Sequence, residues 1–379
     1  MPQLAIIAGE SSGDASGAAL ATALKCQRPD LDIWGAGGPR MKAAGVDLVA
    51  DLSSFGAIGI IESLKVVPRL LWKYHRLKRE ILTRHPDVLI PIDFGAFNLR
   101  LISAINKDAG IKVAYYFPPG SWRRELKDPT RLCQSADVVI TPFPWSAELL
   151  TQAGIDARFV GHPLLDMVRS EQSASKSRNI SAIGILPGSR RHEICSILPE
   201  ALKACSLIAS ACGEIEVHVG AAPGTINLFK NIVQKANGQS AIKIAAINEG
   251  RAYDVMSRSD LLIACSGTAT LEAAIMGTPM IIVYNGPWLM KFEYLFRRSI
   301  LKGGYAGMPN IIAQREVCPE LLGESATGEK IAKTAIDLLK NSSKLDEIKS
   351  GLAEVRKVLG EPGATARAAK IVLETGGLI

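Results

Sequence analysis

The chain contains no CxxC pair and no cysteine–histidine cluster at metal-binding spacing. Its seven cysteines, at positions 26, 133, 195, 205, 212, 265 and 318, form an odd and scattered set. That pattern excludes a disulfide framework and a zinc site, so no metal and no cofactor are expected, and buried free thiols are. Long hydrophobic runs are missing as well. The apolar stretches are short, broken by charge and below the roughly 18–20 residues that span a bilayer, and the first strand-like run starts at Leu4 without a basic leader. A cytoplasmic, non-spanning protein is expected. The GxxxxGK[ST] phosphate loop is absent, which disfavours ATP or GTP hydrolysis. An acidic excess is absent too: 44 Lys and Arg against 37 Asp and Glu leave a formal charge of +7. That balance favours anionic partners, whether nucleic acid, anionic lipid or phosphorylated substrates. Aromatic residues do not interleave with Lys and Arg on any recognisable nucleic-acid motif, so nucleic acid is not expected as a partner.

What is present is an alternation of strand-like and helix-like patterns. With 379 residues, 47% of them hydrophobic, the chain is long enough for about two domains. LAIIA (4–8) precedes a helical stretch at 12–25, DVLIPI (87–92) precedes a helix from Asn98, and KVAYYF (112–117) and ADVVITPF (136–143) lead to WSAELLTQAG (145–154). After Val168 comes RSEQSASKSRNIS, polar, serine-rich and without hydrophobic period. The pattern restarts with AIGILPG (182–188), EIEVHVG (214–220), AIKIAAI (241–247), DLLIAC (260–265) and PMIIVY (279–284), and a helical segment over 328–375 closes it. This predicts an α/β fold of two Rossmann-like, doubly wound domains facing a central cleft, with a C-terminal helix crossing back to the first. The expected divisions are 1–168, a linker at 169–181, 182–350, and 351–379 returning to the first domain.

Two loops that end strand-like runs have the features of an anion cradle. Residues 186–193 read LPGSRRHE and residues 266–272 read SGTATLE. A helix start leaves backbone N–H groups unpaired and carries partial positive charge, so an anion is stabilised there without a dedicated cation. In the first loop Gly188 lets the backbone come close, Ser189 can donate, and Arg190 or Arg191 adds a charged fork. In the second, Ser266, Gly267, Thr268 and Thr270 combine cap chemistry with hydroxyl donors, and Glu272 can accept from ribose hydroxyls. Either loop alone fits plain capping equally well. The pair fits a nucleotide-sugar diphosphate.

A run of ordered motifs resembles the lipid-A-disaccharide synthases, inverting glycosyltransferases of two-Rossmann GT-B architecture. The matching stretches are IIAGESSGD (6–14), GAGGPRM (35–41), GIIESL (59–64), PDVLIPID (86–93), FNLRL (97–101), FVGHPLLD (159–166), LPGSRRHEI (186–194), SGTATLEA (266–273), PNIIAQRE (309–316) and GATARAA (363–369). The resemblance implies transfer of 2,3-diacylglucosamine from UDP to 2,3-diacylglucosamine 1-phosphate, without a metal. It also implies that Gly188, Ser189 and Arg190 contact the diphosphate, that Ser266, Gly267, Thr268, Thr270 and Glu272 line the nucleotide, and that Asn310 closes the same site. The chain departs from the family in the first domain. Where the family has IDxPDFN it keeps Asp93 but carries Ala96 for the second acid, and where the family has HYVSPSVWAWR it runs YYFPPGSWRR from Tyr115 to Arg124. Both departures fall on the acceptor side.

Inverting transfer needs a base for the acceptor hydroxyl and groups that stabilise the departing diphosphate. Asp93, at a strand end and heading a matched motif, is the expected base, with helix capping as its alternative role. Arg190 is the expected stabiliser of the leaving group. Glu10 and Asp14, which border a glycine-rich turn, with Ser11, Ser12 and Gly13 between them and with Asn98, are expected to contact the acceptor. His162, a lone histidine before proline, reads as a packed structural residue.

Residues 55–79 and 287–304 set apolar and aromatic side chains beside Lys and Arg. With an acylated substrate, this suits peripheral contact with an anionic surface, the inner face of the cytoplasmic membrane. A related UDP-sugar transferase with another lipid acceptor, a UDP-sugar epimerase and a catalytically degenerate nucleotide-sugar binder stay compatible with the residues. A homodimer is left open.

Overall fold

The structure, a computed structural model, describes residues 1–52, 60–105, 110–125, 129–168, 181–237, 244–285 and 304–379, and only the backbone of residues 11, 60–69, 245 and 246. The polar stretch at 169–180 and the second aromatic-basic cluster, 287–303, lie outside the described residues.

The chain divides into two compact units, one of Met1–Met167 with Leu359–Ile379 and one of Val168–Val358. The first contains β1 (Gln3–Ala8), α1 (Glu10–Gln27), β2 (Asp32–Gly37), α2 (Pro39–Ala43), β3 (Asp47–Asp51), α3 (Ile60–Arg84), β4 (Val88–Ile92), α4 (Gly95–Ala104), β5 (Lys112–Tyr116), α5 (Thr130–Ser135), β6 (Val138–Thr141), α6 (Pro144–Gln152), β7 (Ala157–Phe159) and α7 (Leu164–Met167). Its strands form one parallel sheet in the order β3-β2-β1-β4-β5-β6-β7. β1 explains why such strands read as unbroken apolar runs. Leu4, Ile6 and Ala8 enter one core with Leu20, Leu24, Val372 and Leu373, while Ala5 and Ile7 enter another with Trp34, Leu77, Ile81 and Leu101. Helices cover both faces, so neither set alternates with polar residues.

The second unit contains β8 (Ser181–Leu186), α8 (Arg191–Cys212), β9 (Ile215–Ala221), α9 (Ile226–Asn237), β10 (Ile244–Glu249), α10 (Ala252–Arg258), β11 (Leu261–Cys265), α11 (Thr268–Met276), β12 (Met280–Tyr284), α12 (Met308–Ala313), β13 (Glu320–Leu322), α13 (Gly328–Leu339) and α14 (Ser342–Val358). Its sheet is also parallel, ordered β10-β9-β8-β11-β12-β13. By length and composition α8 is the one described helix apolar enough to cross a bilayer. No uninterrupted apolar run in the sequence marks it, and its apolar face of Ile194, Ile197, Leu198, Leu202 and Ile208 is buried within the unit.

The last helical stretch is three helices, broken at Asn341 and at Gly360-Glu361-Pro362-Gly363, with α15 (Ala364–Thr375) returning to pack on α1. The return to the first unit begins at Leu359. The expected division at 350 falls inside α14, because no glycine or proline cluster interrupts that helix until Gly360. Three of the seven thiols, Cys205, Cys265 and Cys318, are buried, whereas Cys26, Cys195 and Cys212 are exposed on helices and Cys133 is half-buried. The expectation of buried free thiols thus holds at three positions and not at the exposed ones.

Candidate active site

In an open parallel sheet the order reverses at one pair of neighbouring strands, and the loops beyond their carboxyl ends diverge to leave a crevice for ligands. In the first unit that pair is β1 and β4, and in the second it is β8 and β11. The sequence-derived candidates cluster at these two switch points.

At the first, the backbone itself is unusual. Glu10 after β1 (φ +60°), Asp93 and Phe94 after β4 (φ +43° and +48°) and Phe117 after β5 (φ +59°) are all left-handed without being glycine. Each such residue costs about 1–3 kcal/mol and persists only where its surroundings hold it, which is characteristic of functional sites. The holding contacts are identifiable. Tyr115 Oη donates to the Asp93 carbonyl at 2.9 Å, and the Asn98 amide donates to the same carbonyl at 2.9 Å and to those of Ile92 (3.1 Å) and Ile7 (3.4 Å). A side chain at Gly9 would put its Cβ 2.4 Å from the Phe94 ring, so only glycine lets that ring lie over the β1–α1 turn. The Asp93 carboxyl is left at the sheet edge with its pKa raised, chiefly by lost solvation and in part offset by the Phe94 N–H. A carboxylate more basic than usual is suited to accept a proton near neutral pH.

The expected acceptor contacts divide. Glu10 is half-buried and Ser12 exposed, whereas the Ser11 side chain lies outside the described atoms. Gly13 and Asp14 lie in the first turns of α1, which begins at Glu10, two residues before the expected helix. Asp14 is 2% exposed and its carboxylate accepts from the N–H groups of Gly38 (2.8 Å), Met41 (3.0 Å) and Arg40 (3.0 Å). It caps α2, joining the SSGD and GGPRM stretches through one side chain. Asn98 is fully buried and braces the Asp93 turn through backbone carbonyls. Asp14 and Asn98, expected to contact the acceptor, are thus buried and engaged with the chain's own backbone. His162 packs against Phe117 and Phe143, accepts the Leu164 N–H at Nδ1 and is kept neutral, its pKa pushed down to about 3 by lost solvation.

At the second switch point the β8 and β11 loops lie side by side, since Leu186 pairs with Ala264. Cys265, ending β11, is influenced by the charges of both Glu193 and Arg190, and its thiol is raised mainly by burial. Gly188 is left-handed (φ +102°), and a Cβ there would meet Glu193 Oε2 at 2.4 Å. Glu193, given no role by the sequence reading, governs the first loop. Its buried carboxylate accepts the N–H groups of Ser189 and Arg190, both at 3.2 Å, and faces the Arg190 guanidinium at 3.6 Å. The backbone donors expected for an anion are thus engaged by the chain's own carboxylate, while the Ser189 hydroxyl and the Arg190 head stay exposed. A glutamate three residues after the helix boundary was the available signal.

In the second loop Gly267 and Thr268 are exposed, and nothing lies within 4 Å of where a Gly267 side chain would start. Glu272, half-buried one turn into α11, accepts the Tyr253 hydroxyl at 3.0 Å. Ser266, Thr270 and Asn310 face inward. Ser266 Oγ donates to the Ala306 carbonyl (2.7 Å), and Thr270, fully buried, donates to the Gly267 carbonyl (2.7 Å). Asn310, also fully buried, donates to the Cys318 carbonyl (2.7 Å) and Glu320 (2.8 Å) and accepts from the N–H groups of Val317 (2.7 Å) and Cys318 (2.9 Å). Glu320, which the sequence reading also missed, takes the N–H groups of Ala306 and Gly307, both at 2.8 Å. Burial raises its pKa, and these bonds oppose the rise. Together these groups bind residues 306–310 to the β11–α11 loop. Thr270 and Asn310, expected to contact the nucleotide, are thus buried and engaged by the chain's own groups. Among the described residues no group of His, Cys, Asp or Glu is arranged to hold a metal ion.

Two parallel α/β units of this kind define a fold class, the two-Rossmann GT-B architecture. Solved structures agree on the fold: MnaA of S. aureus in a co-structure with UDP (TM-score 0.65, 14% identity, 100% of this chain and 98% of that one). The UDP-GlcNAc 2-epimerase of Neisseria meningitidis bound to UDP-GlcNAc (0.61, 12%, 99% of both) has it too, as does the calicheamicin glycosyltransferase CalG4 (0.59, 13%, 100% and 99%). A sequence model of the lipid-A-disaccharide synthetase family matches residues 4–374, and the lipid-A-disaccharide synthase of Myxococcus xanthus is 35% identical over 98% of this chain and 97% of its own. The chain belongs to the lipid-A-disaccharide synthase family, and its class of activity is that of a glycosyltransferase.

Proposed function

We infer that the protein transfers 2,3-diacylglucosamine from UDP to 2,3-diacylglucosamine 1-phosphate with inversion, releasing UDP. The family match over residues 4–374 carries this reading. In the first unit Asp93 takes the proton of the acceptor hydroxyl as that oxygen forms its bond to the anomeric carbon. The bond from that carbon to the diphosphate oxygen breaks, and its electron pair leaves with UDP. In the second unit Ser189, Arg190 and the N-terminus of α11 at Gly267 and Thr268 hold the diphosphate, and Glu272 accepts from the ribose. Arg190, exposed and facing Glu193, exchanges that partner for the developing charge, which it binds better than neutral surroundings. Incubating donor and acceptor and following disaccharide 1-phosphate and UDP by mass spectrometry tests the assignment. Turnover of the UDP-sugar without acceptor would instead point to an epimerase.

The acylated substrates place the reaction at a lipid surface, which we assign to the anionic inner face of the cytoplasmic membrane. The described part of α3 supports this. Leu71 is 50% and Trp72 61% exposed, and Arg76 stacks over the Trp72 ring at 5.5 Å. An exposed aromatic beside cations is the composition of an interfacial contact. Residues 55–59 of the same stretch lie outside the described residues. Replacing Leu71 and Trp72 by serine should weaken sedimentation with anionic vesicles; equal sedimentation would remove α3 from the contact.

A further inference from the structure

A cavity of about 110 Å³ opens in the first unit, lined by the segment after β5 and by α4, α5 and α6. It adjoins the Asp93 turn, because a Cβ on Gly95 would lie 2.4 Å from Pro119, a residue of the cavity wall. The lining segment belongs to the stretch from Tyr115 to Arg124 in which the chain departs from its family. Its turns are tight: the Ser121 N–H donates to Pro118 and the Arg123 N–H to Gly120, which is left-handed at φ +74°. The helices contribute apolar walls such as Leu99 and Leu132, and the polar part is formed by Ser121, Arg123, Glu125 and Arg131. Two guanidiniums against one carboxylate leave the lining net positive, and that carboxylate already has an interaction of its own. Arg123 Nε is buried and has no hydrogen-bond partner among the described residues. A buried donor on a permanently charged group is unfavourable until an acceptor reaches it.

We propose that this cavity binds the phosphate of the acceptor, with Arg123 as its principal donor and Arg131 in support, and thereby selects a phosphorylated over an unphosphorylated sugar. The proposal rests on the transferase reading of the Asp93 turn. A volume of about 110 Å³ admits a phosphate group, and it is well below the roughly 300 Å³ at which pockets enclose whole ligands. The acyl chains therefore stay outside it.

Arg123→Ala should raise the acceptor KM by about 10- to 100-fold, the loss of one charge-assisted hydrogen bond. The donor KM and kcat should change little, and the parent's preference for 1-phosphorylated over dephosphorylated acceptor should fall by the same factor. Arg123→Lys should restore part of that preference, and Arg131→Ala should reduce it to a smaller extent. An unchanged preference in both alanine variants would overturn the proposal. Trp122, whose ring the Arg123 guanidinium faces at 5.0 Å, permits a readout independent of turnover. Inorganic phosphate and glucosamine 1-phosphate should quench its fluorescence saturably in the parent and not in Arg123→Ala, whereas quenching that survives in the variant would refute the pocket. If the parent transfers nothing to any acceptor, the transferase reading falls and this titration alone judges the anion site.

Discussion

In the proposed reaction Asp93 carries the proton transfer, from a side chain held by a left-handed turn. Its carboxyl is raised above its ordinary value by lost solvation, so the acid limb of the pH–rate profile should lie above the usual carboxylate range. Asp93→Asn should lose at least about 100-fold in transfer rate, the usual contribution of a general base. A rate assay on the folded variant checks this, and a parent-like rate would remove Asp93 as the base. Arg190→Ala should reduce kcat by about 100-fold, comparable to removing one preorganised donor at a developing oxyanion. UDP should still bind, more weakly, as a titration will report. Asp93 and Arg190 are singled out by the sequence alone, since a strand-end acid and an arginine in a phosphate-like loop suggest their chemistry by identity. Glu193 and Glu320 were not, because a carboxylate's partners here are backbone N–H groups that no side-chain pattern reveals.

At the scale of elements, short polar contacts make two loops into one support. Asn310 ties α12 to residues 317–320, at the start of β13, with four hydrogen bonds. Asn310→Ala would leave the N–H groups of Val317 and Cys318 buried without acceptors and should lower stability by about 2–4 kcal/mol, measurable by denaturant unfolding. The folded variant should retain UDP binding, which a direct nucleotide contact would not allow. Strand-like runs in the sequence mark β1, β4, β5, β6, β8, β9, β10, β11 and β12. Missed were β2, whose DIWGAG is half small residues, and the short edge strands β3, β7 and β13. Edge strands bury one side less and need less hydrophobicity, so periodicity marks them poorly.

Over the whole molecule, the chain ends in the unit where it began. Ala368, Ala369, Val372 and Leu373 of α15 are fully buried in the core shared with β1 and α1. Full burial of a Val or Leu side chain is worth about 1.5–3 kcal/mol. Removal of residues 359–379 should therefore abolish cooperative melting of the first unit and leave that of the second, seen as one calorimetric transition in place of two or as selective proteolysis within residues 1–167. Survival of both units would show that α15 is dispensable.

The α/β class, the two-fold repetition of the pattern, the family and the two glycine-bearing strand-end loops are written along the chain, because periodicity, composition and short motifs are local properties. The assembled structure, by contrast, sets which strands are neighbours, and with that which loops flank a switch point. It also decided that Asp14, Asn98, Thr270 and Asn310 are buried supports while Asp93, Ser189, Arg190 and Thr268 stand at accessible edges. A polar side chain's role depends on which groups surround it once the sheets form, and residues as distant in sequence as Asp14 and Met41, or Asn98 and Ile7, meet only then.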